Sequence, residues 1–191
     1  MNKLFIVVLM VVSLAACSST YSGSLKYFSP TTLSKASPSA QNVTVGTFLD
    51  QRSVPPNWLG AIRGRVGQPL KNLESDRPVA ELVKIAFTDG MRARGIAIDG
   101  ASGLFQISGV IKKLECNQLV RREANVEIEI TILDKQGMQR FVRSYTALNS
   151  EEGSPHWRAS PDDLRATLEK TLSEVIDKAL DDSALRAAMK L

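Results

Sequence analysis

The segment ANVEIEITILD, residues 124–134, decides how this chain folds. Ala124, Val126, Ile128, Ile130 and Ile132 alternate with Asn125, Glu127, Glu129 and Thr131. A period of two sends the apolar side chains to one face and the polar ones to the other. The stretch therefore reads as a half-buried antiparallel strand, with one face on a core and one on water. Asp134-Lys135-Gln136-Gly137 is a turn signal, and residues 138–148 return as a second strand. Residues 104–114 supply the strand before it, which completes a meander.

Working outward, the exposed apolar face of this meander needs helices to cover it. Asp76 and Pro78 open a helix in which Val79, Leu82, Val83, Ala86, Phe87 and Gly90 share one side. Arg92 and Arg94 suit its carbonyl-rich end, and Gly95 stops it. Downstream, Ser160-Pro161-Asp162-Asp163 caps a second helix carrying Leu164, Leu168, Thr171, Leu172, Val175 and Ala179 as its stripe. Asp181-Asp182-Ser183 breaks it, and residues 184–190 add a short terminal turn or two. Residues 42–49 read as a strand and 96–98 as a short one. The expected fold is α+β: a mainly antiparallel sheet in β-α-β-β-β-α order, with two principal helices on one face and a short C-terminal helix. It forms a single domain over residues 41–191.

The N-terminus has a different character. Lys3 precedes an apolar run over residues 4–12, well short of the roughly 20 residues that cross a bilayer. This is the pattern of a secretory signal peptide, here residues 1–16. Its ending, Leu14-Ala15-Ala16-Cys17, resembles the lipobox of bacterial lipoproteins. The resemblance implies cleavage before Cys17, a diacylglyceryl thioether on its sulfur and an acyl chain of palmitate type on the new amine. One chain holds a protein only reversibly, at about 0.8 kcal/mol per buried methylene, whereas three make the anchor permanent. Ser18 is not the aspartate that retains such proteins in the inner membrane, so the resemblance further implies the outer membrane, with the domain facing the periplasm. Residues 17–40 are rich in Ser and Thr, with Pro30 and Pro38, and read as a lipidated tether. Only Leu25-Lys26-Tyr27-Phe28 is apolar enough to dock, as an edge strand.

Several chemistries are excluded early. A net charge of +4 on an exported protein gives no reason to expect nucleic acid. With Cys17 lipidated, Cys116 has no disulfide partner and reads as a buried small hydrophobe. His156 is the only histidine, so a nucleophilic triad or a Cys/His metal cluster is not expected. Glu151 and Glu152 are adjacent and point apart on an extended chain. The run Gly60-Ala61-Ile62-Arg63-Gly64-Arg65-Val66-Gly67 lacks the spacing of a phosphate loop and leads into Pro69 rather than a helix. No catalytic residue, cofactor or metal is expected. Residues 50–77, punctuated by Pro55, Pro56, Pro69 and three glycines, read as a long loop, and such loops usually carry function. Within it Arg52, Trp58, Arg63 and Arg65 are of the types that dominate binding surfaces. They are the candidate partner-binding residues, for an envelope protein, a cell-wall glycan or a lipid headgroup.

Asp50-Gln51-Arg52, MRARG (91–95), NVEIEITILDKQG (125–137) and LSEVIDKALDDSALRAAM (172–189) are together similar to the YajG-like bacterial envelope lipoproteins. That resemblance supplies no catalytic residues, and only the lipidated cysteine carries over, onto Cys17. It implies an outer-membrane lipoprotein whose non-enzymatic periplasmic domain binds another envelope component. Two alternatives stand beside it. An auxiliary lipoprotein of an envelope transport complex would need an apolar cavity between sheet and helices. A cell-wall-acting enzyme would need a cleft gathering His156, Cys116 or paired acids.

Overall fold

The computed structural model describes residues 18–28, 43–96, 98 and 103–191. The elements run β1 (Ser19–Gly23), β2 (Val43–Asp50), β3 (Trp58–Arg63), β4 (Pro69–Ser75), α1 (Val79–Ala93), β5 (Phe105–Gln118), β6 (Arg121–Asp134), β7 (Gln139–Glu152), α2 (Pro161–Leu180) and α3 (Ser183–Ala188). The class is α+β. The sheet, however, is mixed rather than mainly antiparallel, and four strands precede α1 where one was expected.

The meander forms as the alternation requires. β6 pairs antiparallel with β5 on one side and β7 on the other, in register over nearly its whole length. Val126, Ile128, Ile130 and Ile132 are fully buried, and they meet Leu164, Leu168, Leu172 and Val175 of α2 in one core. α1 brings Val79, Val83 and Phe87 to the same core, where the Phe87 ring lies 5.0 Å from that of Phe48.

The departure lies at the other edge of β5. β2 runs parallel along its first half, Val43 opposite Phe105 through Asp50 opposite Ile111. β3 then continues parallel along its second half, Gly60 opposite Cys116 and Ile62 opposite Gln118. The chain can align these strands this way because α1 carries it back before β5 begins. β4 folds back antiparallel on β3, and β1 adds itself parallel to β4. The expected long loop thus holds a β-hairpin, and the sheet order is β1-β4-β3-β5-β6-β7 with β2 beside β5.

Smaller expectations are also adjusted. Residues 18–28, read as tether, are docked on the fold; the rest of that tether, the signal peptide and Cys17 lie outside the described residues. The expected strand at 96–98 is an isolated bridge from Ile98 to Val43. Asp76 does not cap α1, whose N-cap position is Pro78 and carries no side-chain cap, whereas Ser160 does cap α2 by accepting the Asp162 N–H at 3.2 Å. Gly95 stops α1 as expected, at φ +70, where a side chain would be strained.

Candidate contact surface

β2 leaves β5 after Asp50 and β3 joins it at Gly60, so carbonyls near the break lose their strand partners. Arg52 fills this break. Its Nη1 donates to the carbonyls of Trp58 and Leu114, both at 2.8 Å, and its Nη2 to that of Pro56 at 3.3 Å. Its Nε and Nη2 grip both Asp50 oxygens at 2.8 Å. Burial pushes the Asp50 carboxyl up, but these hydrogen bonds overcome it and hold the group below the usual range. The Arg52 side chain is only 5% exposed, so it is a structural bridge within the chain and not a hand held out to a partner.

Of the other three candidate residues, only Trp58 lies near it. Trp58 is half-buried at the start of β3, lining a small cleft with Val54 and Leu114. Arg63 ends the same strand, five residues on and therefore roughly 16 Å away. There it donates to Asn117 Oδ1 at 3.1 and 3.3 Å and to the Gly67 carbonyl at 3.2 Å. Arg65 is exposed in the β3–β4 turn, which the Gly64 N–H closes on the Gln68 carbonyl at 2.8 Å. The four residues therefore split between opposite ends of β3.

A second construction binds the N-terminal segment to the helices. Leu25 is buried, the Lys26 N–H donates to Glu169 Oε1 at 2.9 Å, and the Phe28 N–H donates to Ser173 Oγ at 3.0 Å. The Tyr27 hydroxyl donates to Asp177 Oδ1 at 2.7 Å and accepts from Arg94 Nη1 at 3.0 Å. Arg94, wholly buried, also clasps both oxygens of Asp181, at 2.8 and 2.7 Å, and reaches Asp177 at 2.9 Å. Burial and the Asp177 carboxylate push the Tyr27 phenol up to about 12. The Arg94 guanidinium holds Asp181 below the usual carboxylate range. Sequence reasoning assigned Arg94 to the end of α1; nothing local in "MRARG" signals that its partners lie on α2 and the N-terminal segment.

The groups considered for chemistry sit as follows. Cys116 is fully buried on β5, and burial pushes its thiol up to about 12. The folded protein should therefore resist thiol-specific reagents at neutral pH and react fully once denatured; prompt labelling of the native state would contradict this burial. His156 stacks edge-on against the Trp157 ring at 5.0 Å. Glu151 is held by Arg122 at 2.8 Å and Lys170 at 3.1 Å, which bring its carboxyl down to about 2, while Glu152 is exposed to solvent. Among the described residues, no group of three or more His, Cys, Asp or Glu is placed to hold a metal, and no helix is long and apolar enough to cross a membrane.

Residues 30–190 match the family described as "Uncharacterized lipoprotein", and the chain belongs to that family. Membership makes it an envelope-anchored protein. Among curated proteins no sequence matches. A Xanthomonas campestris protein of the DUF330 family shares the fold, with TM-score 0.63 at 12% identity over 90% of this chain and 98% of the other. A crystal structure of an uncharacterized protein gives TM-score 0.52 at 8% identity, covering 83% and 94%. A minor lipoprotein from Acinetobacter baumannii is more distant, at TM-score 0.42 and 7% identity over 69% and 92%.

Proposed function

We propose that this protein is a YajG-like lipoprotein held in the outer membrane by a thioether at Cys17, with its domain on the periplasmic side, and that it works by surface contact with another envelope component and not by bond-making. The observation that carries the reading is how soon the fold begins. Ser18 already accepts a hydrogen bond from Asn72 Nδ2 at 3.3 Å, and β1 starts at Ser19. The sequence that would carry the lipid thus feeds directly into a sheet edge. Two further facts favour contact over the alternatives. The space between helices and sheet, where a cargo cavity would lie, is filled by Phe87, Ile128, Leu168 and Ile176, all fully buried. Cys116 is buried as a thiol, and the Glu151 carboxylate is taken up by two cations.

The structure divides the candidate contact residues, and the division sharpens the test. Arg63, last in β3, and Arg65, in the turn that follows it, stand at the end of the sheet where β1 and β4 begin. Arg52 and Trp58 stand at the far end of β3. In-cell crosslinking from position 65 should capture an envelope component, while Arg52→Ala should lower stability and leave that capture intact in the folded fraction. Equal capture from positions 58 and 65 would contradict this division. Separately, Cys17→Ser should yield a folded domain missing from the outer-membrane fraction. Its recovery there in native amount would count against the anchor.

A further inference from the structure

The strand registers place six chain positions at one end of the sheet. β1 and β4 begin there, with Ser19 opposite Lys71, and β3 ends there, with Arg63 opposite Pro69. β5 ends there too, Ile62 lying opposite Gln118. β6 begins and β7 ends at the same level, Arg121 facing Glu152. The turn after β7 is tied to this end from both sides: Gln118 Nε2 donates to the Ser154 carbonyl at 2.6 Å, and Lys71 Nζ to that of Ala159 at 2.8 Å. Three turns therefore share one end of the domain with the point where the chain arrives from Cys17.

Those turns carry an unusual surface. Val66, Val120 and Trp157 are 89%, 77% and 70% exposed, the three most exposed large hydrophobic residues described, and one belongs to each turn. Leu119 stands beside Val120, half in solvent. Around them lie Arg63, Arg65, Arg121 and Arg158, opposed by Glu123 and Glu152. The other nearby acids are engaged: Asp162 by Arg165 at 2.7 Å, and Asp163 and Glu151 by Arg122 at 3.5 and 2.8 Å. The rim is net positive, and its centre is apolar. Isolated exposed hydrophobics are ordinary, but several together within a polar rim mark a contact face.

We propose that this end of the sheet is a membrane-docking face, resting on the anionic phospholipid headgroups of the leaflet that holds the Cys17 anchor. The proposal builds on the anchoring reading above and names what the Arg63–Arg65 side of the molecule touches. Covalent geometry supplies the argument. Cys17 and Ser19 are two residues apart, so their Cα atoms are at most about 7 Å distant. The headgroup layer is itself roughly 5–8 Å deep on each side of the hydrocarbon. A lipid on Cys17 therefore leaves the domain no room to stand off, and the end that carries Ser19 meets the headgroups. Six strands abreast make that end roughly 24 Å wide. Its composition suits the place: a tryptophan of the kind enriched at membrane interfaces, small apolar tips, and arginines that an anionic surface attracts.

Trp157 reports the contact. The chain has two tryptophans, so Trp58→Phe leaves Trp157 alone. This variant, purified intact from host membranes, is reconstituted in phosphatidylethanolamine vesicles containing phosphatidylglycerol and a lipid brominated close to the headgroup. Acylation of Cys17 is read by mass in the same sample. We expect Trp157 to lose emission to the bromines, because an interfacial tryptophan sits at the headgroup level they occupy. The loss should shrink when phosphatidylcholine replaces both lipids, and shrink again in the Val66→Asp/Val120→Asp background, whose substitutions lie at exposed positions. Unquenched Trp157 on an acylated protein overturns the docking face and leaves the anchor standing. An unmodified Cys17 removes the anchor, and the proposal with it. A photoreactive residue at position 66 in cells should give a phospholipid adduct; a polypeptide adduct in its place also overturns the proposal.

Discussion

Gly60→Ala is expected to be the most damaging single substitution in the sheet, lowering stability by about 3 kcal/mol or more. Gly60 has φ +152, a conformation that side chains rarely adopt. A Cβ there would lie 1.7 Å from the Cys116 carbonyl oxygen, which belongs to the neighbouring strand's backbone and cannot swing aside. Relief requires β3 to separate from β5 at Gly60–Ile62, where the two strands pair. The loss would spread, because β4 pairs with β3 and β1 with β4. The meander has its own partners and would hold longer. Urea unfolding should show a lower midpoint, and hydrogen exchange should rise first in β3, β4 and β1. A native midpoint with unchanged exchange in β3 would refute the close approach at Gly60.

Arg94→Met should be nearly as costly, at about 3 kcal/mol. Methionine fills much of the space, so the charge is what is tested. The fully buried guanidinium ties α1 to Asp177 and Asp181 of α2 and to Tyr27 of the N-terminal segment. Removing it leaves two carboxylates facing a phenol with no cation between them. Both acids are partly exposed and can recruit water, which keeps the effect near the lower end for a broken buried pair. Protease cleavage near Tyr27 should accelerate, since the clamp holds that segment down. The acid limb should change as well. Asp181 has its folded value depressed by Arg94, so its contribution is present above the unfolded carboxylate value of about 3.9 and is lost as pH falls through the lower folded one. The native protein should thus lose stability from about pH 4 downward, Glu151 contributing over the same descent to about 2. Arg94→Met should lose less over that interval. An equal acid slope in both proteins would place the coupling elsewhere.

How much of this could be read from the residues depends on where the physical signal is local. β6 was legible because one face is core and the other water, which writes a period of two into the chain. α2 was legible for the same kind of reason, with Ser160 and Pro161 marking its start. β3 was not, because Leu59, Gly60, Ala61 and Ile62 are all buried and leave no alternation. Its glycine, needed for close approach to Cys116, looks in the sequence like a loop residue. β1 has four exposed residues out of five and is held by backbone pairing with β4, so hydrophobic pattern cannot announce it. The candidate surface fared similarly. Arg52, singled out for contact, is bound inside the molecule, and Arg94, read only as suiting the end of α1, reaches across to α2. The turns that cluster Val66, Val120 and Trp157 are far apart in sequence, and only the strand registers bring them together.

The anchor at Cys17 bears most of the account, and the mass of the N-terminal peptide from protein extracted out of its native host tests it directly. The expected species begins at Cys17 and carries a diacylglyceryl group on sulfur with a third acyl chain on the amine. A peptide that runs through residue 17 with a free thiol, or one that begins downstream of it, would contradict the account.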